Sequence, residues 1–520
     1  MANYARIKKG IVSRYIRRGM ILLFEFESLV DVWKLIIGNI IIINIMLSIM
    51  IVFFQRRDPK TVWTWLLVLY FIPVFGIFIY FILGQDYRKS KMFKVKEMED
   101  TLHYSVARQE RFFAERTKGM ESLYIYNYIK LIRYNLNSGA SMFTVYNKIA
   151  IFNNGRDKFK NLISDIRSAK RYIHIEYYII KNDYLFDALS KELILKARQG
   201  VEVRILGDGM GVRFMPKYKW EQLKSEGIKV GIFFPAMLGW INPRMNYRNH
   251  RKIVVIDDYI GYIGGFNIGK EYIGADPRFG NWRDTHLRLT GESVLSLEVR
   301  FALDWNYSVK ENLFADPKYN INDMYDEFIN NLKKRSHEIC CVQIIASGPD
   351  SSTKQVRNNF IELFGGAKHH IYIQTPYFIP DEAVLSALIV AVRSGIDVRI
   401  MIPCKPDHPF VYWATLSWAG TLLYEGAKVY TYENGFLHAK TVMVDSKCAC
   451  VGTANMDIRS FELNFEVNAT IYDEETTEKL ENDFINDISL SKELTVEIFE
   501  KRGFIRRFKE QFSRLLSPLL

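Results

Sequence analysis

One pattern of six fixed positions occurs twice in this chain, and the two copies align without an insertion. The pattern is His, any residue, Lys, four residues, Asp, six residues, then Gly, Gly or Thr, any residue and Asn. The matched residues are His250, Lys252, Asp257, Gly264, Gly265 and Asn267 in the first copy, and His438, Lys440, Asp445, Gly452, Thr453 and Asn455 in the second. The repeat requires two equivalent halves that carry the same reactive groups at the same position.

Mainly apolar residues follow the His-x-Lys triplet in both copies, at 253–256 and 441–444. Such short runs predict buried β-strands. Side chains alternate between the two faces of a strand, so His250 and Lys252 should emerge on one face and Asp257 on the other. We therefore assign the His and Lys of each motif to chemistry and the Asp to anchoring.

The residue types in the motif suit chemistry on a phosphodiester. A histidine can exchange a proton near neutral pH and can act as a covalent nucleophile. Lysine and asparagine donate hydrogen bonds to phosphate oxygens, and so stabilise charge that grows in the transition state. Two such sets facing each other predict a site without metal or other cofactor, with Asn267 and Asn455 as phosphate-binding amides. A single histidine is more often a satisfied core residue, but two complete motifs in register favour catalysis.

Similarity between the halves extends upstream of the motifs. Each motif is preceded by a strand-like segment, a helical stretch and a second strand-like segment. These are residues 169–178, 185–198 and 200–205 in the first half, and 367–377, 381–393 and 395–400 in the second. Strands that alternate with helices predict an α/β fold with mixed sheets flanked by helices. A pseudo-two-fold axis between the halves would bring both motifs to one cleft.

The two motifs resemble the HKD motifs of the phospholipase D superfamily, and three neighbouring segments narrow the resemblance to bacterial cardiolipin synthases. The segments are Trp-Arg-Asp-Thr-His-Leu at 282–287, Gly-Phe-Leu-His-Ala-Lys-Thr at 435–441, and residues 455–466. The likeness runs over nearly the whole chain. It implies two phospholipase D-like halves.

The resemblance also implies a phosphatidyltransferase that uses phosphatidylglycerol as both donor and acceptor. His250 would attack the phosphorus of one molecule while His438 protonates the leaving glycerol, which gives a phosphatidyl-histidine intermediate. A second phosphatidylglycerol would then displace His250 and yield cardiolipin, without nucleotide or metal. The residues alone do not distinguish the two halves, so the histidine roles can be exchanged.

Each histidine needs an acidic partner to fix its tautomer and orientation. Asp284 and Glu466 stand at comparable places after the two motifs. The resemblance implies that such carboxylates cross to the opposite half, which pairs Glu466 with His250 and Asp284 with His438. An ordinary structural role for both carboxylates is the alternative.

Two uncharged runs near the amino terminus, at 35–54 and 61–83, are each long enough to cross a bilayer. The intervening residues 55–60 predict a tight turn, and hence a two-helix transmembrane hairpin over 35–83. Basic residues crowd both outer flanks, so both termini and the catalytic halves should face the cytoplasm. Basic residues within the turn weaken this orientation. A buried core helix is the alternative for either run.

The remaining chain divides into further segments. Residues 1–34 are basic and include an apolar, acidic stretch at 20–33 that favours an interfacial helix over a third span. Residues 100–325 and 326–498 are predicted to be the two phospholipase D-like domains, with a junction within 316–334. Residues 499–520 form a basic amphipathic segment, either at a bilayer or docked on its own domain.

The net charge of +12 predicts attraction to an acidic partner, either nucleic acid or anionic lipid. The predicted spans and an aromatic content of 14% favour lipid, with no nucleic acid. The other readings are a phospholipase or headgroup-exchange enzyme, an HKD nuclease, and a non-catalytic lipid-binding scaffold at the membrane. Two intact motifs argue against the scaffold, because binding alone needs no paired proton-transfer groups.

Overall fold

The computed structural model describes residue 34 and residues 38–54, 59–83, 124–235, 246–319, 340–351 and 353–518. The chain divides into two compact units, Met1–Asp86 and Tyr87–Leu520. The interfacial helix predicted at 20–33 lies outside the described residues, and so does most of the predicted junction at 316–334.

The amino-terminal unit consists of helical segments. Residues 38–49 are α-helical, and the helix continues as a π-helix over Met50–Phe54. Two further α-helices cover Pro59–Phe71 and Pro73–Leu83. Many of their apolar side chains are exposed.

A proline divides the second apolar run. Pro73 has no N–H and cannot donate the helical hydrogen bond to the carbonyl of Leu69. Asn44, in the first helix, supplies the missing donor, since its Nδ2 lies 3.2 Å from Leu69 O and 3.2 Å from Pro73 O. The polar residue that interrupts the first run thus satisfies the backbone at the break in the second.

The prediction of two continuous membrane spans at 35–54 and 61–83 is not met. In the part of the chain that the structure describes, no helix is both long and apolar enough to cross a membrane. The first run leaves α-helical geometry at Met50, and the second is divided at Ile72 into helices of 13 and 11 residues.

The second unit contains two mixed β-sheets, which confirms the α/β fold class. The strands of the first half are β1 (Phe143–Thr144), β2 (Asn147–Phe152), β3 (Tyr172–Tyr177), β4 (Glu202–Asp208), β5 (Lys229–Phe233), β6 (Lys252–Ile256), β7 (Ile260–Gly264), β8 (Trp282–Arg283) and β9 (His286–Gly291). Those of the second half are β10 (Cys341–Ser347), β11 (His370–Gln374), β12 (Phe378–Ile379), β13 (Asp397–Pro403), β14 (Lys428–Tyr432), β15 (Phe436–Leu437), β16 (Thr441–Val444), β17 (Cys448–Gly452), β18 (Met456–Asp457), β19 (Glu466–Tyr472) and β20 (Ser491–Leu494).

The strand order shows the duplication directly. The first sheet runs β2-β9-β7-β6-β3-β4-β5, and the second runs β1-β10-β19-β17-β16-β11-β13-β14-β20. Without its edge strands β1 and β20, the second sheet repeats the order and the strand directions of the first. The motif strands β6 and β16 occupy the same place in their sheets.

Helices connect the strands and cover the sheets. In the first half the α-helices are Ile129–Gly139, Gly155–Ser168, Tyr184–Arg198, Lys217–Ser225 and Ser293–Val309, with 3-10 turns at Tyr124–Tyr128, Lys270–Ile273, Leu313–Ala315 and Pro317–Tyr319. In the second half they are Gln355–Gly366, Glu382–Arg393, Pro409–Glu425, Ile458–Glu462, Glu474–Ser489, Val496–Glu500 and Phe504–Leu515. The repeated helices begin alike, because Asp183 and Asp381 each accept hydrogen bonds from the free N–H groups of the first turn.

The alternating side chains of the motif strands show where the hydrophobic core lies. In β6, Val254 and Ile256 pack among helices on the outer face of the first sheet. Ile253 and Val255 belong instead to a central core that also contains Met443 of the second sheet. The two sheets therefore face each other across this core, and helices cover their outer faces.

The first half also contributes an edge strand to the second sheet. β1 precedes the first sheet in the chain, yet it pairs antiparallel with β10 of the second sheet, with Phe143 opposite Gln343. Sequence order and sheet membership therefore differ at this strand. A boundary drawn only between the two motifs would cut this pairing.

Candidate active site

Each motif histidine lies in a segment that is hydrogen-bonded to the opposite half. The N–H of His250 donates to Phe465 O at 2.9 Å, and the N–H of Phe465 donates to Arg248 O at 2.8 Å. The N–H of His438 donates to Arg283 O at 2.7 Å, where β15 pairs with β8. Backbone hydrogen bonds between the halves thus fix both histidines at the junction of the halves.

The structure places a buried carboxylate of the opposite half against each imidazole. Nδ1 of His250 lies 3.0 and 3.1 Å from the two carboxylate oxygens of Glu466. Nδ1 of His438 lies 2.6 Å from Oδ2 of Asp284. The side chains of both acids are 0% exposed. An ionised carboxylate can only accept, so Nδ1 carries the proton and Nε2 is the nitrogen left for chemistry.

The two lysines of the motifs are buried beside the histidines. Lys252 Nζ donates to His250 O at 2.6 Å, and Lys440 Nζ lies 2.9 Å from His438 Nδ1. Burial lowers the pKa of Lys252 to about 7 and the pKa of Lys440 to about 8, although the nearby carboxylates oppose this shift. A bound anion would restore the charged form of both lysines.

Burial also favours the neutral imidazoles. Loss of hydration lowers the pKa of His250 to about 4, even though Glu466 stabilises the imidazolium. The pKa of His438 is also lowered by burial and by the charge of Lys440. Near pH 7 the empty site therefore holds neutral histidines, and a phosphate anion would favour their protonation.

The two predicted phosphate-binding amides are buried and already engaged with protein groups. Asn267 accepts from Ile179 N at 3.1 Å and donates through Nδ2 to the Tyr272 hydroxyl at 3.0 Å. Asn455 donates through Nδ2 to Asp457 at 3.3 Å. An amide nitrogen carries two hydrogens, so each side chain keeps one N–H for a ligand.

The aspartates of the motifs lie at the turns that follow β6 and β16. Asp257 accepts from the N–H groups of residues 170–172 at 2.7 to 3.0 Å. Asp445 accepts from those of residues 368–370 at 2.7 to 2.8 Å. Both aspartates have positive φ values. They tie the end of each motif strand to the start of the neighbouring strand, at the opposite end of the motif strand from the histidine.

One motif position differs between the halves, Gly265 in the first and Thr453 in the second. Each of these residues contacts the carboxylate that binds a motif histidine, Asp284 or Glu466. A Cβ at Gly265 would lie 1.9 Å from Oδ1 of Asp284, so only glycine leaves room for that acid. At the equivalent place, Thr453 Oγ1 donates to Oε2 of Glu466 at 2.6 Å. The longer acid is thus held by a hydroxyl, and the shorter one lies directly against the backbone.

Thr453→Val should lower kcat by about tenfold, because a hydrogen bond to a charged group contributes roughly 1.5–3 kcal/mol and Glu466 would hold His250 less firmly. Thr453→Ser keeps the hydroxyl and serves as the matched control. The rate of product formation at saturating lipid is the measurement. Equal rates for the two variants would show that the hydroxyl plays no part.

Several residues of the site could not be identified from the repeated motif. Tyr178 packs edge-on against His250 with ring centroids 5.1 Å apart, and Trp282 lies 5.1 Å from His438. Arg251 is 1% exposed and donates to Glu466 O and Ser347 O, both at 3.2 Å. Its equivalent in the second motif is an alanine. These contacts depend on neighbours from distant segments, which spacing within the motif cannot show.

The crossed histidine–carboxylate pairs, two buried lysines and duplicated mixed sheets define the protein as an enzyme of the phospholipase D superfamily. The family described as "Cardiolipin synthase, PLD-like domain" matches residues 162–276 and 360–488, and "Phospholipase_D-nuclease N-terminal" matches residues 42–85. With these matches and the relatives below, the chain belongs to the bacterial cardiolipin synthase family, which confirms the resemblance.

Close relatives cover almost the full chain. A cardiolipin synthase of Oceanobacillus iheyensis is 44% identical over 94% of this chain and 99% of its own length. One from Staphylococcus aureus strain Mu50 is 46% identical over 92% of this chain and 95% of its own length. The major cardiolipin synthase of Bacillus subtilis is 44% identical, with 94% and 99% covered.

A solved structure shares the fold. Phosphatidylserine synthase from Haemophilus influenzae aligns with a TM-score of 0.59 and 16% identity, over 75% of this chain and 100% of that one. At this identity the likeness establishes the architecture alone.

Proposed function

We propose that this enzyme makes cardiolipin by transferring a phosphatidyl group from one phosphatidylglycerol to another, with release of glycerol. The observation that carries the proposal is the pair of histidine–carboxylate units that cross between the halves beside two buried lysines. Such a site can attack phosphorus with one imidazole and exchange a proton with the other. Membership of the cardiolipin synthase family supports this choice of lipid.

In the first step, Nε2 of His250 attacks the phosphorus of the donor lipid. The phosphorus–nitrogen bond forms as the bond to the glycerol headgroup breaks. His438, protonated in the presence of the phosphate anion, gives its proton to the departing oxygen. Glu466 stabilises the positive charge that develops on His250. The products are a phosphatidyl-histidine and free glycerol.

In the second step, the neutral His438 takes the proton of a primary hydroxyl on a second phosphatidylglycerol. That oxygen attacks phosphorus, the bond to His250 breaks, and cardiolipin is released. One phosphodiester replaces another, so the reaction needs no nucleotide to drive it. Lys252 and Lys440 hold the non-bridging oxygens in both steps, and the free N–H groups of Asn267 and Asn455 support them.

The proton on His438, whose pKa is lowered by burial, already makes kcat/KM decline with rising pH. We expect a steeper fall through about 7 to 8, where Lys252 and Lys440 lose their protons in the free enzyme. The value of kcat/KM should also fall near pH 4, where His250 becomes protonated and stops acting as a nucleophile. Lys252→Arg keeps its charge throughout this range. This variant should move the alkaline limb towards that of Lys440. A flat profile from pH 6 to 9 would contradict the assignment of the two lysines.

The decisive test uses the purified full chain with phosphatidylglycerol as the only lipid. Mass spectrometry should find cardiolipin and glycerol in equal amounts. Phosphatidic acid in place of cardiolipin would mean that water is the acceptor, and the hydrolase reading would then replace this proposal. Phosphatidylcholine as the only lipid is the control for the donor headgroup.

The location of the enzyme is also part of the proposal. The amino-terminal helices expose large apolar side chains, including Phe53, Phe54 and Phe75, and this segment matches a family amino-terminal region. They would hold the enzyme at the bilayer that contains its substrate, with the catalytic halves on the cytoplasmic face. Proteolysis of the catalytic halves in inverted vesicles, but not in intact spheroplasts, is the expected result.

A further inference from the structure

The carboxy-terminal helix Phe504–Leu515 packs on the helix Pro409–Glu425 through its polar side. Glu510 is 1% exposed and pairs with Arg502 at 2.9 Å and with Arg506 at 3.0 Å. Arg514 donates to Thr421 of the supporting helix at 2.9 Å. Of the two alternatives for this segment, the structure shows the helix docked on its own domain. Its charged side faces that domain.

The opposite side of this helix is apolar and exposed. The exposed fractions are 83% for Phe504, 70% for Ile505, 60% for Phe508, 46% for Phe512 and 75% for Leu515. These five residues are named the carboxy-terminal apolar face. An amphipathic helix on a soluble body normally turns such a face inward, so this orientation leaves a surface suited to an apolar partner.

The apolar face continues towards the active site. Phe410 is 52% exposed, and its ring centroid lies 6.5 Å from that of Phe512. Phe410 comes five residues after Lys405, whose Nζ donates to Phe279 O at 2.7 Å. Phe279 packs against Trp282, whose ring centroid lies 5.1 Å from that of His438. The apolar surface therefore reaches the rim of the site.

The first half repeats this feature. Phe214 is 77% exposed and follows β4, as Phe410 follows β13, and these strands are equivalent in the two sheets. Gly211 of the same turn lies against Tyr178, since a Cβ there would lie 1.7 Å from Tyr178 O, and the Tyr178 ring packs edge-on against His250. Each half thus places an exposed phenylalanine just after the equivalent strand and on its own side of the site, Phe214 in a turn and Phe410 in the first turn of the helix Pro409–Glu425.

The charged residues around the carboxy-terminal apolar face indicate what kind of partner it binds. Residues 501–520 contain six basic side chains, and Glu510 is their single acid. Lys501, Arg507 and Lys509 are exposed. A second copy of the chain would bring like charges together at such a contact, whereas an anionic lipid surface attracts them.

We propose that the carboxy-terminal apolar face, with Phe410 and Phe214, docks on an anionic bilayer and turns the cleft towards the lipid. The docking is additional to the amino-terminal helices and goes beyond the proposed reaction. It explains how a phosphate attached to acyl chains can reach histidines at the junction of the halves. Basic side chains meet the headgroups, and the aromatic rings enter the interface.

The test compares Phe508→Asp with Val390→Asp in the full chain, since both replace an exposed apolar side chain of a helix by an acid, and Val390 lies in the separate helix Glu382–Arg393. Phe508→Asp should lower transfer by about tenfold on long-chain phosphatidylglycerol in vesicles. Both variants should stay within about twofold of the parent on monomeric short-chain phosphatidylglycerol, which needs no docking. Equal losses on the two substrates, or equal losses in the two variants, would overturn the proposal.

A second readout does not depend on turnover. Hydroxyl-radical modification of Phe508 and Phe512 in the full chain should fall about threefold in phosphatidylglycerol vesicles relative to phosphatidylcholine vesicles, and high salt should reverse this. Protection that follows protein concentration instead of lipid charge would indicate a second copy and overturn the docking. If the parent enzyme makes no cardiolipin, the proposed function fails while this measurement still decides the docking.

Discussion

Replacing His250 by alanine is expected to reduce cardiolipin formation by at least about 10⁴-fold, because the variant loses the group that forms the covalent intermediate. Phosphatidylglycerol should still bind, since Lys252, Lys440 and the exposed apolar surface remain. The measurement is the rate of cardiolipin formation, together with lipid binding by the same preparation. Loss of rate with retained binding separates a catalytic histidine from one that only supports the site.

Stability needs a control in this experiment. Glu466 is fully buried against His250, and loss of one hydrogen-bond donor to its buried charge can cost about 1–3 kcal/mol. The double variant His250→Ala/Glu466→Gln removes that charge and should regain most of the melting temperature while staying inactive. Activity in either variant within about tenfold of the parent would contradict the nucleophile assignment.

The duplicated motif was sufficient to predict two equivalent α/β halves. The apolar runs after His250 and His438 form β6 and β16, and the upstream repeats form the strands beside them. A buried strand has an apolar pattern within its own few residues, so its position could be predicted from the sequence. The pairing of β1 with β10 could not be predicted, because it depends on the two halves being assembled.

The candidate site could be predicted only in part from the sequence. Each motif supplies its own histidine and lysine, whereas the contacts that hold them come from elsewhere. The choice of glycine at 265 and threonine at 453 follows from the different lengths of Asp284 and Glu466. Sequence spacing contains no information on that fit.

Two helical segments show a second limit of pattern reading. Hydropathy at 61–83 favoured one continuous span, but Pro73 divides the helix, and Asn44 hydrogen-bonds to the backbone at the break. Amphipathicity at 504–515 identified the two sides of the last helix. It could not say which side faces the protein, because burial of Glu510 depends on pairing with Arg502 and Arg506.

Replacing His438 by alanine should abolish transfer from phosphatidylglycerol, because general acid catalysis of glycerol departure is worth about 10²–10⁴-fold and the second step needs the same group as base. A donor with a nitrophenol headgroup should bypass the first requirement, since its anion leaves without a proton. His438→Ala should then release one equivalent of nitrophenol per enzyme and stop.

The stopped enzyme distinguishes the two histidines, which have matching partners in the structure. The peptide that contains His250 should carry the mass of one phosphatidyl group, because no base remains to activate the acceptor. His250→Ala should give neither the burst nor the adduct with the same donor. An adduct on the peptide that contains His438 in the His250→Ala variant would exchange the two roles. The crossed carboxylates would then orient the same pair of histidines with the order of attack and protonation reversed.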